Sequence, residues 1–299
     1  MGLVIPVMSL FLLARGLSLS SLPLFLGTYS LVVMVAEIPS GILSDRYGRK
    51  TCFMVSKLCS ALGSVLLVGA RSPAMMAVAF VLLGLARACM SGSLEALLID
   101  QQLKRGGNIQ LHRTSVHIAL WETIGLSVGA LTAGFFVTIF GQIPLLRSPY
   151  DVHILLSALL NVLLFILARC WIEEPVESTG RSVNLSSTGL YIVKHAPLAA
   201  LMLSFAGTGI ILSTVETFWQ PRLVDIAAQE PTMMLGILAF LGFLGAMAGT
   251  LLSDLPVMQN RVGIFVRFLI YKASLILMIG ALALSTSVPG YTVSYALVY

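Results

Sequence analysis

Apolar runs of about twenty residues recur along nearly the whole chain, and no other feature restricts its fold so tightly. They lie near 22–40, 52–70, 74–98, 116–140, 151–172, 196–220, 232–252 and 263–286. A helix rising about 1.5 Å per residue crosses a hydrocarbon layer of about 30 Å in about 20 residues. The runs are continuously apolar rather than alternating, which excludes the strands of a membrane barrel. Two further runs, 1–14 and 290–299, are shorter than a span. The fold class is therefore all-α, a polytopic transmembrane bundle with eight full spans and two partial ones.

Composition agrees. Of 299 residues, 58% are hydrophobic and only 10% charged, too few charges to coat a water-facing surface. Soluble, collagen-like, disulfide-stapled and disordered classes fall on the same numbers. The net charge of +5 sits in short gaps between apolar runs, so it reads as a topology signal, and no nucleic-acid partner is expected. Cys52, Cys59, Cys89 and Cys170 form no C-x-x-C pair, which argues against a disulfide framework or a zinc site. The 1–14 run has the length of a signal-peptide core but lacks a basic leader and a small-x-small cleavage site.

The basic residues orient the bundle. Ten lie in alternate gaps: Arg46, Arg49, Lys50, Lys104, Arg105, Arg113, Arg169, Arg181, Lys194 and Arg261. The intervening gaps hold four, Arg15, Arg71, Arg147 and Arg222. By the positive-inside tendency the first set is cytoplasmic. The polar stretch 173–195 is the natural divider. It predicts an N-terminal transmembrane half over 1–172 with a partial first span, a central cytoplasmic loop over 173–195, and an incomplete C-terminal half over 196–299. A short repeat supports the division, because Gly41-Ile42-Leu43-Ser44-Asp45 and Thr250-Leu251-Leu252-Ser253-Asp254 each follow an apolar run.

The stretch Gly41-Ile42-Leu43-Ser44-Asp45-Arg46-Tyr47-Gly48-Arg49-Lys50 resembles the loop signature of the major facilitator superfamily, in both sequence and place between the second and third spans. Two glycines allow a sharp turn, Asp45 can cap a helix N-terminus, and Arg46, Arg49 and Lys50 hold the inner boundary. The resemblance implies two pseudo-symmetric halves that alternate access to a central cavity. It also implies a cytoplasmic gate at Gly41, Asp45, Arg46, Gly48, Arg49 and Lys50. Against that family's usual twelve spans, the chain is expected to be incomplete at both ends.

In the fourth span Gly84, Arg87, Ser91 and Glu95 share one helical face. An arginine in lipid is costly unless it faces a partner or water. Leu83, Arg87, Ser91 and Gly92 resemble the family's proton-coupling pattern, with Met90 where a glutamine is usual. That resemblance assigns proton coupling and the cavity to Arg87, Ser91 and Glu95; a buried Arg87–Glu95 structural contact is the alternative. Lys57 sits where it can snorkel to the interface. Lys272, halfway along its span, and Glu216, Trp219 and Gln220 near the outer end of the seventh are candidate cavity residues. A carboxylate beside an aromatic ring suits a cationic or amphipathic substrate, while Trp219 reads equally as an interfacial anchor. Pro221 is expected to stop that helix. Gly125 and Gly129 in the fifth span, and Gly245 and Gly249 in the eighth, have the four-residue spacing of close helix packing. In the family those two spans meet between the halves. Its antiporters carry a Gly-Pro pair where Gly129 is followed by Ala130.

An enzyme is disfavoured. His112, His117, His153 and His195 lie near loop edges, no H-E-x-x-H occurs and no nucleotide-binding loop is present. No catalytic residue, cofactor or metal is expected. The reading is a secondary active transporter of a small organic molecule by alternating access, with proton-coupled efflux. Uptake symport or uniport of a metabolite, and an inactive truncated fragment, are the alternatives. The expected partners are a small-molecule substrate, protons and the lipid bilayer, for a monomer in the cell (plasma or inner) membrane with the 41–50 loop cytoplasmic. In a cysteine-free background, single cysteines at Lys104 and Arg147 should label from opposite sides of intact cells, and equal labelling would refute the topology.

Overall fold

The computed structural model describes residues 1–91, 93, 97–99, 108–140, 147–172, 196–227, 232–253 and 264–298, and every regular element among them is an α-helix. In chain order these are α1 (Met8–Ala14), α2 (Leu22–Tyr47), α3 (Arg49–Gly69), α4 (Pro73–Ser91), α5 (Asn108–Phe140), α6 (Asp151–Trp171), α7 (Ala196–Ala227), α8 (Thr232–Ser253), α9 (Ile264–Leu284) and α10 (Val288–Val298). Each expected apolar run contains a helix among the described residues. Among the described residues, α2, α3, α4, α6 and residues 116–136 of α5 are long and apolar enough to cross a membrane. The central stretch 173–195 lies outside the described residues.

α4 packs between α2 and α3, and α3 in turn packs along α6. Gly84 permits the α2 approach, since a Cβ there would stand 2.9 Å from both the Tyr29 carbonyl oxygen and the Val32 Cβ. Gly63 does the same for α3, against Leu83 and the Ala79 carbonyl. Buried Ser40 donates to the carbonyl of Ala88 at 2.8 Å, a polar tie between α2 and α4. His153 of α6 is fully buried, with Nε2 2.9 Å from the Ala133 carbonyl of α5 and its ring edge-on to Phe136.

The most extensive packing in the molecule joins α5 to α8, and its close point is Gly134 against Gly236. A Cβ on Gly236 would meet the Ala130 oxygen at 2.6 Å and the Gly134 nitrogen at 2.9 Å, both backbone atoms. The face in contact is therefore Ala130–Gly134, one residue on from the Gly125–Gly129 frame. Gly129 instead lies against the backbone of Gly2 and Leu3, while Gly125 and Gly249 have nothing within 4 Å. Gly245 is half-buried.

Two helices behave differently from expectation. α7 does not stop at Pro221 but continues to Ala227. Proline removes the donor that would bond the Thr217 carbonyl four residues back. Here the Ser9 hydroxyl donates to that carbonyl at 2.9 Å, so α1 supplies what the proline took away. α3 begins with no side-chain cap, and Asp45 is exposed rather than capping it.

The α5–α8 contact generates a prediction. Gly236→Leu should cost about 1–3 kcal/mol by overpacking, read as a lowered Tm in detergent, while Gly249→Leu should leave Tm unchanged. Equal effects would show that the Gly236 contact does not set the helix separation.

Candidate functional site

The 41–50 segment turns sharply. α2 ends and α3 begins on either side of one residue, Gly48, whose φ of 93° only glycine adopts cheaply. Its N–H donates to the Ser44 carbonyl at 3.0 Å. Gly41 is half-buried, and Asp45 and Arg46 are exposed on the turn. The Arg46 guanidinium lies 5.5 Å from the Tyr47 ring centroid. Lys50 donates to the Arg169 carbonyl at 3.0 Å, a cation on the negative C-terminal end of α6. Arg49, half-buried, begins α3.

The second constellation is in the interior. Arg87 on α4 is half-buried, and two ionisable side chains of neighbouring helices lie within its electrostatic reach. Lys57 of α3 and Tyr29 of α2 are both within electrostatic reach of Arg87, and Tyr29 is also within reach of Glu216 on α7. The sequence signals that would have found Lys57 and Tyr29 are weak. One is a single cation near the start of a span, the other a single phenol in an apolar run.

Lys57 does not snorkel to the interface. It is 7% exposed, with Nζ 3.3 Å from the Met90 sulfur and 4.8 Å from the Phe53 ring centroid. Eight residues past Arg49, it is about 12 Å along the helix from the start of α3. A thioether and an aromatic face are weak partners for an ammonium, so a substantial desolvation cost remains. Among the described residues the only ion pair is Arg15 to Asp151, so neither Lys57 nor Arg87 has a carboxylate within ion-pair distance there. Glu95 lies outside the described residues, and Ser91 donates back to the Ala88 carbonyl of its own helix.

The other cavity candidates separate. Gln220 is 1% exposed, and both ends of its amide are used. It donates to the Ile5 carbonyl at 2.6 Å and accepts from the Ser9 backbone N–H at 2.9 Å, so it clamps α1 to α7. Trp219 is equally buried, its ring 4.9 Å from that of Tyr295 on α10 and its carbonyl taking a hydrogen bond from the Tyr291 hydroxyl. A belt residue would sit at the lipid boundary; this one is core. Lys272 donates to the Ser204 carbonyl at 3.0 Å and to the Thr208 hydroxyl, tying α9 to α7. Glu216 lines a cleft with Ile5, Ala239, Gly242, Phe243 and Tyr295. At about 10 Å³ it has room for about one water.

The family model described as Major Facilitator Superfamily matches residues 1–299. A curated protein of Bacillus subtilis (strain 168), printed as "Uncharacterized MFS-type transporter YxaM", is 24% identical over 243 residues, 78% of this chain and 57% of the relative. The chain thus spans little more than half the length of the relative it matches.

The Lys57 environment makes a prediction about stability. Removing a buried charge that has no carboxylate partner among the described residues should cost little, so Lys57→Met should stay within about 1 kcal/mol of the parent or exceed it. A clear drop in the detergent Tm would instead identify the ammonium as a structural tie.

Proposed function

The chain belongs to the major facilitator superfamily, and on that premise we propose that it is a secondary active transporter moving a small organic molecule outward, coupled to protons, by alternating access. It is a multi-pass membrane protein; we place it in the plasma or inner membrane, with the 41–50 turn on the cytoplasmic side. The halves that rock are 1–172 and 196–299, linked through 173–195. Protein catalysis has no part in this reading.

The observation that supports the proposal is a chain of ionisable groups in the interior. Lys57 on α3 and Tyr29 on α2 are within electrostatic reach of Arg87 on α4, and Tyr29 is also within reach of Glu216 on α7. Such groups in a membrane interior are expensive and mark ion or substrate pathways. Glu216 is the carboxylate that can exchange a proton at the junction. Protonated, it stops balancing the two cations, and the substrate or the return of the second half must then balance them. The outer halves of α1 and α7 are joined by Ser9, Thr217 and Gln220, with Trp219 and Tyr295 packed behind. Opening to the outside therefore requires breaking the Gln220 clamp, while the 41–50 turn carries the charges that guard the inner side.

The test is flux in proteoliposomes under an imposed pH gradient, with a panel of small organic cations and anions. Gradient-driven movement of one class is expected, abolished by a protonophore and reduced by about tenfold or more in Glu216→Gln, Arg87→Ala and Lys57→Met at matched incorporation, a loss of about 1.4 kcal/mol or more. Flux indifferent to the proton gradient would replace this reading with uniport. Retention of coupling in all three variants would remove the charge cluster from the mechanism.

A further inference from the structure

At the end of the bundle opposite the 41–50 turn, three connections meet: α1 to α2, α3 to α4 and α5 to α6. Each contributes an arginine. Arg15, Arg71 and Arg147 line one open cleft of about 640 Å³, with Ala14, Gly16, Leu17, Ala70, Ser72, Pro73 and Met76.

This convergence runs against the charge pattern of the whole sequence. The outer ends of such a chain are depleted of cations, and the sequence reading puts just four there, Arg15, Arg71, Arg147 and, near the end of α7, Arg222. Three of those four share one cleft.

The local balance is positive. Asp151 is the acid that meets Arg15, through Oδ1 at 2.8 Å, with both side chains almost fully buried. Its Oδ2 is already taken by the backbone N–H groups of Arg147 and Ser148, so the carboxylate is committed within its own turn. Arg15 is only partly satisfied by this pair. Its side chain is 5% exposed, it leans over the Phe11 ring at 5.0 Å, and its Nε and Nη1 are buried with no hydrogen-bond partner. Two donors of a guanidinium more than nine-tenths buried are thus without acceptors beside a cleft that two exposed arginines rim. A buried donor left unmade is costly, which is a reason to expect an acceptor there.

We propose that this cleft is a binding site for a phosphate group, held by the forked guanidinium of Arg15 at its base and by Arg71 and Arg147 at its rim. Planar guanidinium forks match phosphate oxygens in pairs, and three arginines against one committed carboxylate leave charge for a mono- or dianion. The apolar side chains of Leu17, Pro73 and Met76 line the same cleft, so a phosphodiester carrying hydrocarbon fits as well as a free phosphate. The site lies apart from the Lys57–Arg87–Glu216 cluster, and its occupant holds three helix connections of the first half in register.

The experiment uses the full chain in nanodiscs of phosphatidylcholine, with thermal unfolding as readout and native mass spectrometry counting retained lipid. Adding phosphatidylglycerol should raise Tm by about 2–4 °C, the scale of a site well filled by its ligand. It should also leave a bound phosphatidylglycerol on the protein. Arg71→Gln with Arg147→Gln should abolish both effects, since these exposed side chains can change without disturbing the Arg15–Asp151 pair. Arg222→Gln, at the remaining outer arginine, should keep them. A shift with inorganic phosphate but not with phosphatidylglycerol, lost in the same double variant, supports a site for a free phosphate instead of a lipid headgroup. The proposal is overturned if neither probe shifts Tm. It is equally overturned if the double variant responds as the parent does, or if sodium chloride at matched ionic strength gives the same shift.

Discussion

A peptide group carried into hydrocarbon leaves its water partners behind, and every carbonyl and amide must then be satisfied from within the protein. This single demand explains more of the molecule than any pair of contacts. It makes each apolar run a helix, and it makes each break in a helix a place where something else must bind. Pro221 is the clearest case. The carbonyl of Thr217 loses its helical donor, the Ser9 hydroxyl replaces it, and Gln220 beside it closes two further bonds to the 1–14 segment. A defect that would be ruinous in isolation becomes the tie between the first and seventh helices. The same rule is visible in the many Ser and Thr side chains, among them Thr28, Ser127 and Thr214, which donate to the carbonyl four residues earlier on their own helix.

Charge obeys the same accounting with larger stakes. Arg15 meets Asp151 near one end of the bundle, and Lys50 meets a helix C-terminus at the other. Lys272 is absorbed by a carbonyl and a hydroxyl of a neighbouring helix. Lys57 and Arg87 are different, because among the described residues the groups that meet them are a thioether, an aromatic ring and a phenol. A fold selected only for stability has no reason to keep two such cations close together in its interior. The proposed coupling site rests on that contrast, and the proposed phosphate cleft rests on a similar one at Arg15.

Close helix packing sets how these groups meet. Without a hydrophobic drive between helices in lipid, small residues that let backbones touch do most of the joining. Gly84 and Gly63 bring α2 and α3 onto α4, which delivers Tyr29 and Lys57 to Arg87. Gly134 and Gly236 bring α8 against α5. Positions of small residues therefore decide which polar side chains share a space, although no glycine takes part in the chemistry.

Much of the fold was legible because its signal is local. Apolar length alone located each helix, the Gly48 turn is written in the residues around it, and the resemblance of the 41–50 stretch named the family that the whole chain matches. Arg87 stood out for the same reason, a costly residue in an apolar run. Depth and facing were not legible. Lys57 looked able to reach the interface, yet α4 covers it; Trp219 looked like a boundary residue, yet α10 covers it. The glycine frame of α5 missed the contact by one position, which on a helix is about 100° of rotation. Hydrophobicity along the chain determines that a segment enters the membrane, because transfer energy adds residue by residue. Which face of it meets which neighbour depends on contacts between helices far apart in sequence, and only the tertiary structure decided that.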